Sequence, residues 1–211
     1  MEHLMEKDME KRKTAVVFDL DGTLVDSVYQ HVLAWHEALL ETGIELSIWR
    51  IHRRIGMSGG LFTRALLREM GRDLDPARLE TAQRLHAAAY NRLASQVRPL
   101  PGALELLARL SAIGCPWTVP VITRDMVAHA KPDPDLFLAA INRLGVEATD
   151  VLVIGDSVWD MHAARRARML GIGLLSGGYS TEELERAGAY RVYDDPAMLL
   201  QHLDELGIRA D

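Results

Sequence analysis

The sequence predicts an α/β protein whose parallel sheet is interrupted, after its first strand, by an all-helical insert. A short apolar run, Ala15 to Phe18, is typical of a strand that is buried on both faces. No strand signal follows over residues 28–98, whereas strand-like and helix-like segments alternate from Pro99 onward. Because such alternation builds parallel sheets with right-handed crossovers, we expect a Rossmann-like sheet flanked by helices.

The insert spans residues 28–98 and separates two core segments, 14–27 and 99–211. Because it follows the first strand directly, we expect it above the carboxyl end of that strand, where open α/β sheets bind their ligands. Apolar residues at helical spacing, and glycine, serine or Asp-Pro signals at the ends, define its helices. These predicted helices cover residues 28–42, 47–56, 61–70 and 75–96.

After the insert the sequence returns to alternating strands and helices. Val151 to Ile154 is a second apolar run of the kind expected for a buried strand. Ser180 and Glu183 have the spacing of a capping box at the start of a helix. In this part we predict strands over 117–123, 151–154, 171–175 and 191–193. We predict helices over 101–114 and 133–145, a helix that passes through 163–169, and two helices that begin near 180 and 195.

Length and charge narrow the class of protein. The chain has 211 residues, of which 48% are hydrophobic and 26% charged, so a core can be buried without disulfides. The formal net charge of -6 argues against a nucleic-acid surface, which normally shows as a basic excess. The single cysteine, Cys115, cannot form an internal disulfide, and residues 1–13 lack an apolar stretch. We therefore expect a disordered tail over 1–13 and a cytoplasmic monomer or homodimer without membrane contact.

The segment FDLDGTLVDS, residues 18–27, carries the strongest chemical signal. Asp19 and Asp21 directly follow a buried strand, whose end holds both carboxylates in a crevice. Because the chain turns at Gly22, the two side chains can face differently, and one can attack while the other exchanges a proton with the leaving group. The alternative is an Asp-Gly turn in which Asp19 is an incidental strand-end residue.

Two further segments carry charged groups that suit the same chemistry. The segment VLVIGDSVWD places Asp156 and Asp160 after another buried strand. A further carboxylate near Asp19 would be repelled without a cation, and oxygen ligands suit Mg²⁺, although both acids are also explained as a helix start. Lys131, in the segment KPDP, can hold a phosphate or a carboxylate as a point charge, but on its own it is better explained as a surface lysine.

In this order along the chain, the three segments resemble the haloacid dehalogenase superfamily of phosphohydrolases, and most of all its phosphoglycolate phosphatase-like branch with a helical cap. The resemblance extends from about Thr14 to Gly207. It implies a Mg²⁺-dependent phosphatase that hydrolyses a phosphate monoester of a small metabolite through an aspartyl phosphate. Phosphomutases of the superfamily, such as β-phosphoglucomutase, also use two aspartates at this spacing, so a mutase stays open as an alternative.

The resemblance also implies a role for each motif residue. Asp19 is the expected nucleophile, and Asp21 is the expected general acid and base. Lys131 is expected to bind the phosphoryl group and to hold Asp19. The implied metal ligands are Asp19, the main-chain carbonyl of Asp21, and Asp156, while Asp160 would support the metal from outside the ligand shell or through water.

One stretch departs from the family pattern. The family has a strand that ends in a Ser or Thr contacting the phosphoryl group, and a helix and another strand follow before the lysine. Here only residues 124–130 separate the strand-like run 117–123 from Lys131, and a parallel crossover needs about a dozen residues. We therefore expect one missing βα unit, with 117–123 pairing beside the first strand and Thr123, or else Thr118, supplying the hydroxyl near the nucleophile. The gap also leaves open a catalytically impaired relative with a binding or regulatory role.

A glycine-rich loop, from Arg53 to Gly60, lies between two predicted insert helices. In related capped phosphatases a loop at this place selects the substrate, so Arg53 or Arg54 is predicted to meet a second anionic group. The alternative is a glycine-rich turn that carries two surface arginines.

Overall fold

A computed structural model describes residues 14–57, 62, 65, 76–115, 117 and 121–209 of the chain. Several predicted features lie outside the described residues: the tail over 1–13, the helix over 61–70 apart from the helical Phe62 and Ala65, the cap residue Asp75, and Thr118. The strands are β1 (Ala15–Phe18), β2 (Val25–Asp26), β3 (Arg98–Pro99), β4 (Val151–Gly155), β5 (Leu170–Leu174) and β6 (Ala189–Tyr193).

The main sheet is parallel, and its strand order in the described residues is β1-β4-β5-β6. β1 pairs with β4 over its full length, from Ala15 opposite Val151 to Phe18 opposite Ile154. This arrangement confirms the predicted α/β class. The helices are α1 (Val28–Glu41), α2 (Ile48–His52), α3 (Pro76–Leu93), α4 (Ala103–Ala112), α5 (Asp135–Leu144), α6 (Val158–Arg166), α7 (Thr181–Ala187) and α8 (Pro196–Gln201).

The two faces of the sheet are buried under different helices. Alternate residues of one strand point to opposite faces, so Val16 packs toward α4 and α8 whereas Val17 packs toward α5 and α6. Side chains on both faces of β4 are buried, which explains why its sequence is an unbroken apolar run. Because both faces are covered, the carboxyl ends of β1 and β4 are the open edge at which polar side chains collect.

The insert has a hydrophobic core of its own. α1 packs mainly on α3, and its buried residues are placed at helical spacing as the sequence predicted. The predicted long helix begins at Pro76 and ends at Leu93, after which the chain forms a short 3-10 turn. The residues of this cluster are Val28, Val32, Trp35, Leu39, Ile44, Leu46, Ile51, Phe62 and Ala82.

A two-stranded ladder joins the insert to the sheet, and no sequence pattern predicted it. β2 and β3 pair antiparallel, with Val25 opposite Pro99 and Asp26 opposite Arg98. The chain therefore enters and leaves the helical block side by side. Two-residue strands are too short to show any alternation of apolar and polar residues, which is why the pattern missed them.

The predicted strand over 117–123 is not formed as expected. Trp117 makes an isolated parallel bridge to Val16, but residues 121–123 are irregular and lead into a 3-10 turn at Arg124–Met126. The prediction is therefore wrong for 121–123. Proline has no amide hydrogen to donate to a ladder, and Pro120 falls inside the run that was predicted as a strand.

The other core predictions are confirmed with small shifts at element ends. Ser180 and Glu183 form the predicted capping box at the start of α7, and Asp195 caps α8 with Pro196 as its first residue. Within the described residues, no helix combines the length and the apolar character that a membrane crossing requires.

Candidate active site

Asp19 is placed at the open edge of the sheet by the last pairing of β1. Its backbone N–H donates to the carbonyl of Ile154 at 2.8 Å, which fixes the residue beside the end of β4. Its carboxylate lies 2.5 Å from the ammonium of Lys131. Burial raises the pKa of Asp19 to about 6, although the charge of Lys131 acts in the opposite direction. The sequence prediction that Asp19 and Lys131 lie together is thus matched by the geometry.

Lys131 is a buried cation between two carboxylates. Its ammonium contacts Asp19 at 2.5 Å and Asp160 at 2.7 Å, and the residue is only 7% exposed. Burial by itself favours the neutral amine, but the charges of Asp160 and Asp19 outweigh burial and raise the pKa of Lys131 above its usual range. Lys131 is therefore a permanent positive charge beside Asp19, and the explanation as a surface lysine is excluded.

Asp156 is buried at the end of β4 within a cradle of glycine backbone. It is 4% exposed and accepts a hydrogen bond from the hydroxyl of Thr23 at 3.0 Å. A Cβ atom on Gly177 would lie 1.9 Å from its carboxylate, and one on Gly22, at φ +82°, would lie 2.5 Å away. Burial, together with the charges of Asp160 and Asp19, raises the pKa of Asp156 well above its usual range.

Asp160 is fully buried on the first turn of α6, where it has two kinds of partner. One carboxylate oxygen accepts from the backbone N–H and the hydroxyl of Ser157, at 3.1 and 2.5 Å, and completes a capping box. The other oxygen is the one that contacts Lys131. Both oxygens are therefore engaged, so Asp160 fits a role in orienting its neighbours better than a role as a direct metal ligand.

The acidic group fits a divalent metal ion. Asp19, Asp156 and Asp160 each offer an oxygen, and these oxygens lie within 4.8 Å of one another. Three carboxylates against the one ammonium of Lys131 leave an excess of two negative charges when all are ionised. Burial is the main cause of the raised pKa values of Asp19 and Asp156, and the charge of Asp160 adds to it in both. A hard cation with oxygen ligands, such as Mg²⁺, would neutralise the excess of negative charge.

Asp21, the second aspartate of the motif, has a different environment from Asp19. One of its oxygens accepts from the hydroxyl of Ser27 at 2.5 Å and lies 3.3 Å from a ring nitrogen of His31. Burial would raise the pKa of Asp21, but the bonds from His31 and Ser27 outweigh it and lower the pKa. The two carboxylates of one motif therefore have different environments, with the pKa of Asp19 raised and that of Asp21 lowered.

A cavity of about 800 Å³ opens above these groups, between the sheet edge and the insert. Arg54 lines it, and Arg53 is not among its described lining residues. The sequence left open which of the two arginines meets the substrate, and of the two Arg54 is the one in the described lining of this cavity. Other insert residues that line the cavity are His31, Trp35, Ile55, Gly56, Met57, Phe62, Gln83 and His86.

Arg53 instead joins the insert to the core. Its guanidinium forms an ion pair with Glu183 and lies over the ring of Tyr179, 4.3 Å from the ring centre. The Tyr179 hydroxyl donates to the Arg53 carbonyl at 3.0 Å, and a ring nitrogen of His52 lies 2.8 Å from the carbonyl of Gly177. We call these four contacts the insert clasp.

Thr123 is not brought into the group of charged residues. It is exposed, and its hydroxyl donates to the carboxylate of Asp125 at 2.5 Å. The strand that was expected to carry it to Asp19 is not formed over residues 121–123. Its role in binding phosphate stays a prediction, and the alternative residue, Thr118, lies outside the described residues.

Sequence reasoning missed the part that the insert histidines play in this site. His31 contacts Asp21, and its other ring nitrogen lies 3.2 Å from a ring nitrogen of His86. Neither residue has the spacing typical of metal ligands in sequence. His31 lies one helical turn beyond Ser27, the other residue that contacts Asp21, and this spacing is the clue the sequence offers.

Comparison with known proteins identifies the family to which this geometry belongs. A family model for haloacid dehalogenase-like hydrolases matches residues 13–120 and 117–168. A phosphoglycolate phosphatase of Rhodospirillum rubrum is 32% identical over 216 residues, covering 88% of each chain. The fructose-1-phosphate phosphatase YqaB of Escherichia coli is 30% identical over 182 residues, covering 76% of this chain and 96% of its own. A hydrolase from Pseudomonas syringae of known structure superposes with a TM-score of 0.90 at 49% identity, covering 92% of this chain and 99% of its own.

Proposed function

Because the chain belongs to the haloacid dehalogenase-like hydrolases, we propose that it is a phosphatase that hydrolyses a phosphate monoester of a small soluble metabolite. One observation carries the proposal. The Asp19 carboxylate lies at the floor of an open cavity, held at 2.5 Å by a buried ammonium and grouped with Asp156 and Asp160. A nucleophile beside a fixed positive charge and a cation site is what phosphoryl transfer requires.

The reaction uses the two motif aspartates in two different roles. An oxygen of Asp19 attacks the phosphorus, the bond from phosphorus to the ester oxygen breaks, and an aspartyl phosphate forms. Asp21 gives its proton to the departing oxygen, which leaves as an alcohol. Asp21 then takes a proton from water as that water attacks the phosphorus, so that inorganic phosphate is released and Asp19 is restored.

Two sources of positive charge act on the phosphoryl group as it is transferred. Lys131 is in place to contact both Asp19 and a phosphoryl oxygen, and its charge is permanent because two carboxylates raise its pKa. Mg²⁺ would be held by Asp19, Asp156 and the main-chain carbonyl of Asp21, with Asp160 behind them, and it supplies charge neutralisation when bound. Asp160 orients Lys131 and Ser157 and thereby keeps the arrangement rigid.

The relatives limit the class of substrate. The phosphoglycolate and fructose 1-phosphate named for two relatives are both small anionic metabolites. We propose that the substrate of this chain is of that kind, with Arg54 facing its part that is remote from the phosphate. We expect no nucleic acid or membrane partner, and a monomer or homodimer.

The test is release of phosphate from p-nitrophenyl phosphate by purified protein with Mg²⁺, followed by a panel of phosphorylated metabolites. We expect turnover that requires Asp19. Absence of phosphate release from every compound, with the protein folded and Mg²⁺ present, would favour the impaired relative instead. Transfer of the phosphoryl group to a second sugar position, rather than to water, would favour the mutase.

A further inference from the structure

Asp21 is held through one of its two carboxylate oxygens. Ser27 donates to Oδ1 at 2.5 Å, and Nε2 of His31 lies 3.3 Å from the same oxygen. An oxygen that accepts two such bonds is a poor place for the proton that a general acid must deliver. The contacts therefore direct that proton to Oδ2 and fix the rotation of the carboxyl group.

His31 is in turn held by a second histidine. Its Nδ1 lies 3.2 Å from Nε2 of His86, which belongs to α3. Both rings are fixed by aromatic neighbours, because His31 stacks on Tyr90 with ring centres 3.9 Å apart and His86 stacks on Trp35 at 4.2 Å. The chain of contacts from Asp21 through His31 to His86 thus runs from the core into the insert.

The direction of the two hydrogen bonds from Asp21 through His31 to His86 follows from which ring nitrogens carry a hydrogen. An ionised carboxylate can only accept, so Nε2 of His31 must carry a hydrogen when it bonds to Asp21. A neutral His31 then has a bare Nδ1, which needs a donor, and Nε2 of His86 is the group opposite it. Burial lowers the pKa of His86 to about 4, so His86 is neutral and can offer a single N–H to this bond.

We propose that His86 is a positioning residue for the general acid. It donates from Nε2 to Nδ1 of His31, which holds His31 in the tautomer that donates to Oδ1 of Asp21. This proposal rests on the proposed phosphatase function, in which Asp21 protonates the leaving group. It links α3, a helix far along the chain from the catalytic motif, to the proton-transfer step through His31.

The test compares two substrates that differ only in how much the leaving group needs a proton. Phenyl phosphate releases a basic phenoxide and depends on the general acid, whereas p-nitrophenyl phosphate releases a stable anion. His86→Phe keeps a ring on Trp35 but removes the donor, and His86→Gln keeps a donor. We expect His86→Phe to raise the kcat/KM ratio of p-nitrophenyl to phenyl phosphate, which reports the step in which the leaving group departs, about 3- to 10-fold, the effect of one hydrogen bond, and His86→Gln to restore it largely.

Asp21→Asn separates failure of this inference from failure of the proposed function. It should raise the same ratio by about 100-fold or more, since it removes the acid itself. An unchanged ratio in Asp21→Asn would overturn the general-acid assignment. A large change in Asp21→Asn with an unchanged ratio in His86→Phe would overturn only the role of His86.

A spectroscopic measurement of the His31 tautomer tests the proposal without any measurement of turnover. The ¹⁵N shifts of His31 in the free protein should report a hydrogen on Nε2, and His86→Phe should shift the tautomer population toward Nδ1 while His86→Gln should not. His86→Leu serves as a second variant if His86→Phe does not fold. A His31 tautomer that is the same in the wild type and in every folded variant would contradict the proposal.

Discussion

The two edges of β1 are built very differently, although both flank the same nucleophile. On the inner edge β4 pairs with β1 from Ala15 to Phe18 and brings Asp156 to its end. On the outer edge the described residues give one bridge, from Val16 to Trp117, and then an irregular stretch. A cavity of about 360 Å³ lies along this outer edge, lined by residues that include Phe18, Trp117 and Ile122.

The charged groups of the site lie at the inner edge of β1, whereas the neutral hydroxyl donor of the family pattern is expected at the outer edge. Apart from Asp21 of the same motif, the charged groups that act on Asp19 in the described residues follow β4, lie on α6 or belong to the Lys131 segment. The hydroxyl that the family pattern assigns to the outer edge has no counterpart there in the described residues. Charge interactions in a buried site are worth more than one neutral hydrogen bond. We therefore expect an active enzyme whose inner edge carries most of the catalytic effect.

The largest effect is expected at Asp19, the nucleophile that both edges of β1 flank. Asp19→Asn removes the nucleophile and one negative charge while keeping the shape, and should lower kcat about 1,000-fold or more. Steady-state hydrolysis of p-nitrophenyl phosphate measures it, with circular dichroism as a check on folding. Near wild-type turnover in a folded Asp19→Asn protein would exclude covalent aspartyl chemistry.

The next effect concerns the cation that the inner edge is built to hold. Chelation should lower turnover about 100-fold or more, because the metal supplies several kcal/mol of charge stabilisation, and Mg²⁺ should restore it. Asp156→Asn should lose the response to Mg²⁺ in the same assay. Full activity after complete removal of divalent ions would refute the metal assignment.

The same carboxylates should make the metal-free protein less stable as the pH rises. The folded-state pKa of Asp19, about 6, is above its usual 3.8, so the folded protein binds more protons between these values and loses stability as Asp19 ionises. Thermal unfolding without metal should therefore show a lower Tm at about pH 7 than at about pH 5, and Mg²⁺ should raise the Tm at pH 7. A Tm that does not respond to Mg²⁺ would contradict this expectation.

The sequence predicted the inner edge well because strand-end motifs are local. An apolar run followed by an acid identifies both the strand and the residue at its carboxyl end, so Asp19 and Asp156 were found from the pattern. The His31–His86 contact and the insert clasp could not be found in this way, since each depends on how distant helices pack. The predicted strand over 117–123 is wrong for 121–123, where Pro120 has no amide hydrogen to continue a ladder from Trp117.

Two neighbouring arginines of the insert provide a matched pair of variants, with a smaller expected effect on activity. Arg54→Ala removes a cavity-lining guanidinium and should raise the KM about tenfold for the metabolite that the panel identifies, with little change for p-nitrophenyl phosphate. Arg53→Ala removes the two side-chain contacts of the insert clasp instead, and should lower the activity on both substrates by a similar factor. Equal effects of the two variants on every substrate would remove the distinction drawn between them.

The smallest effect is expected on the outer edge, at Thr123. A hydroxyl that donated to the transferring phosphoryl group would be worth about 1.5–3 kcal/mol, or roughly 10- to 150-fold in rate. In the structure this hydroxyl donates to Asp125 and the residue is exposed, so we expect Thr123→Val to lower kcat less than about threefold. Thr118→Val is the matched control for the alternative residue. A loss of tenfold or more in Thr123→Val alone would mean that the hydroxyl leaves Asp125 for the substrate. The outer edge would then contribute to catalysis after all, and the contrast between the two edges of β1 would hold only for the free protein.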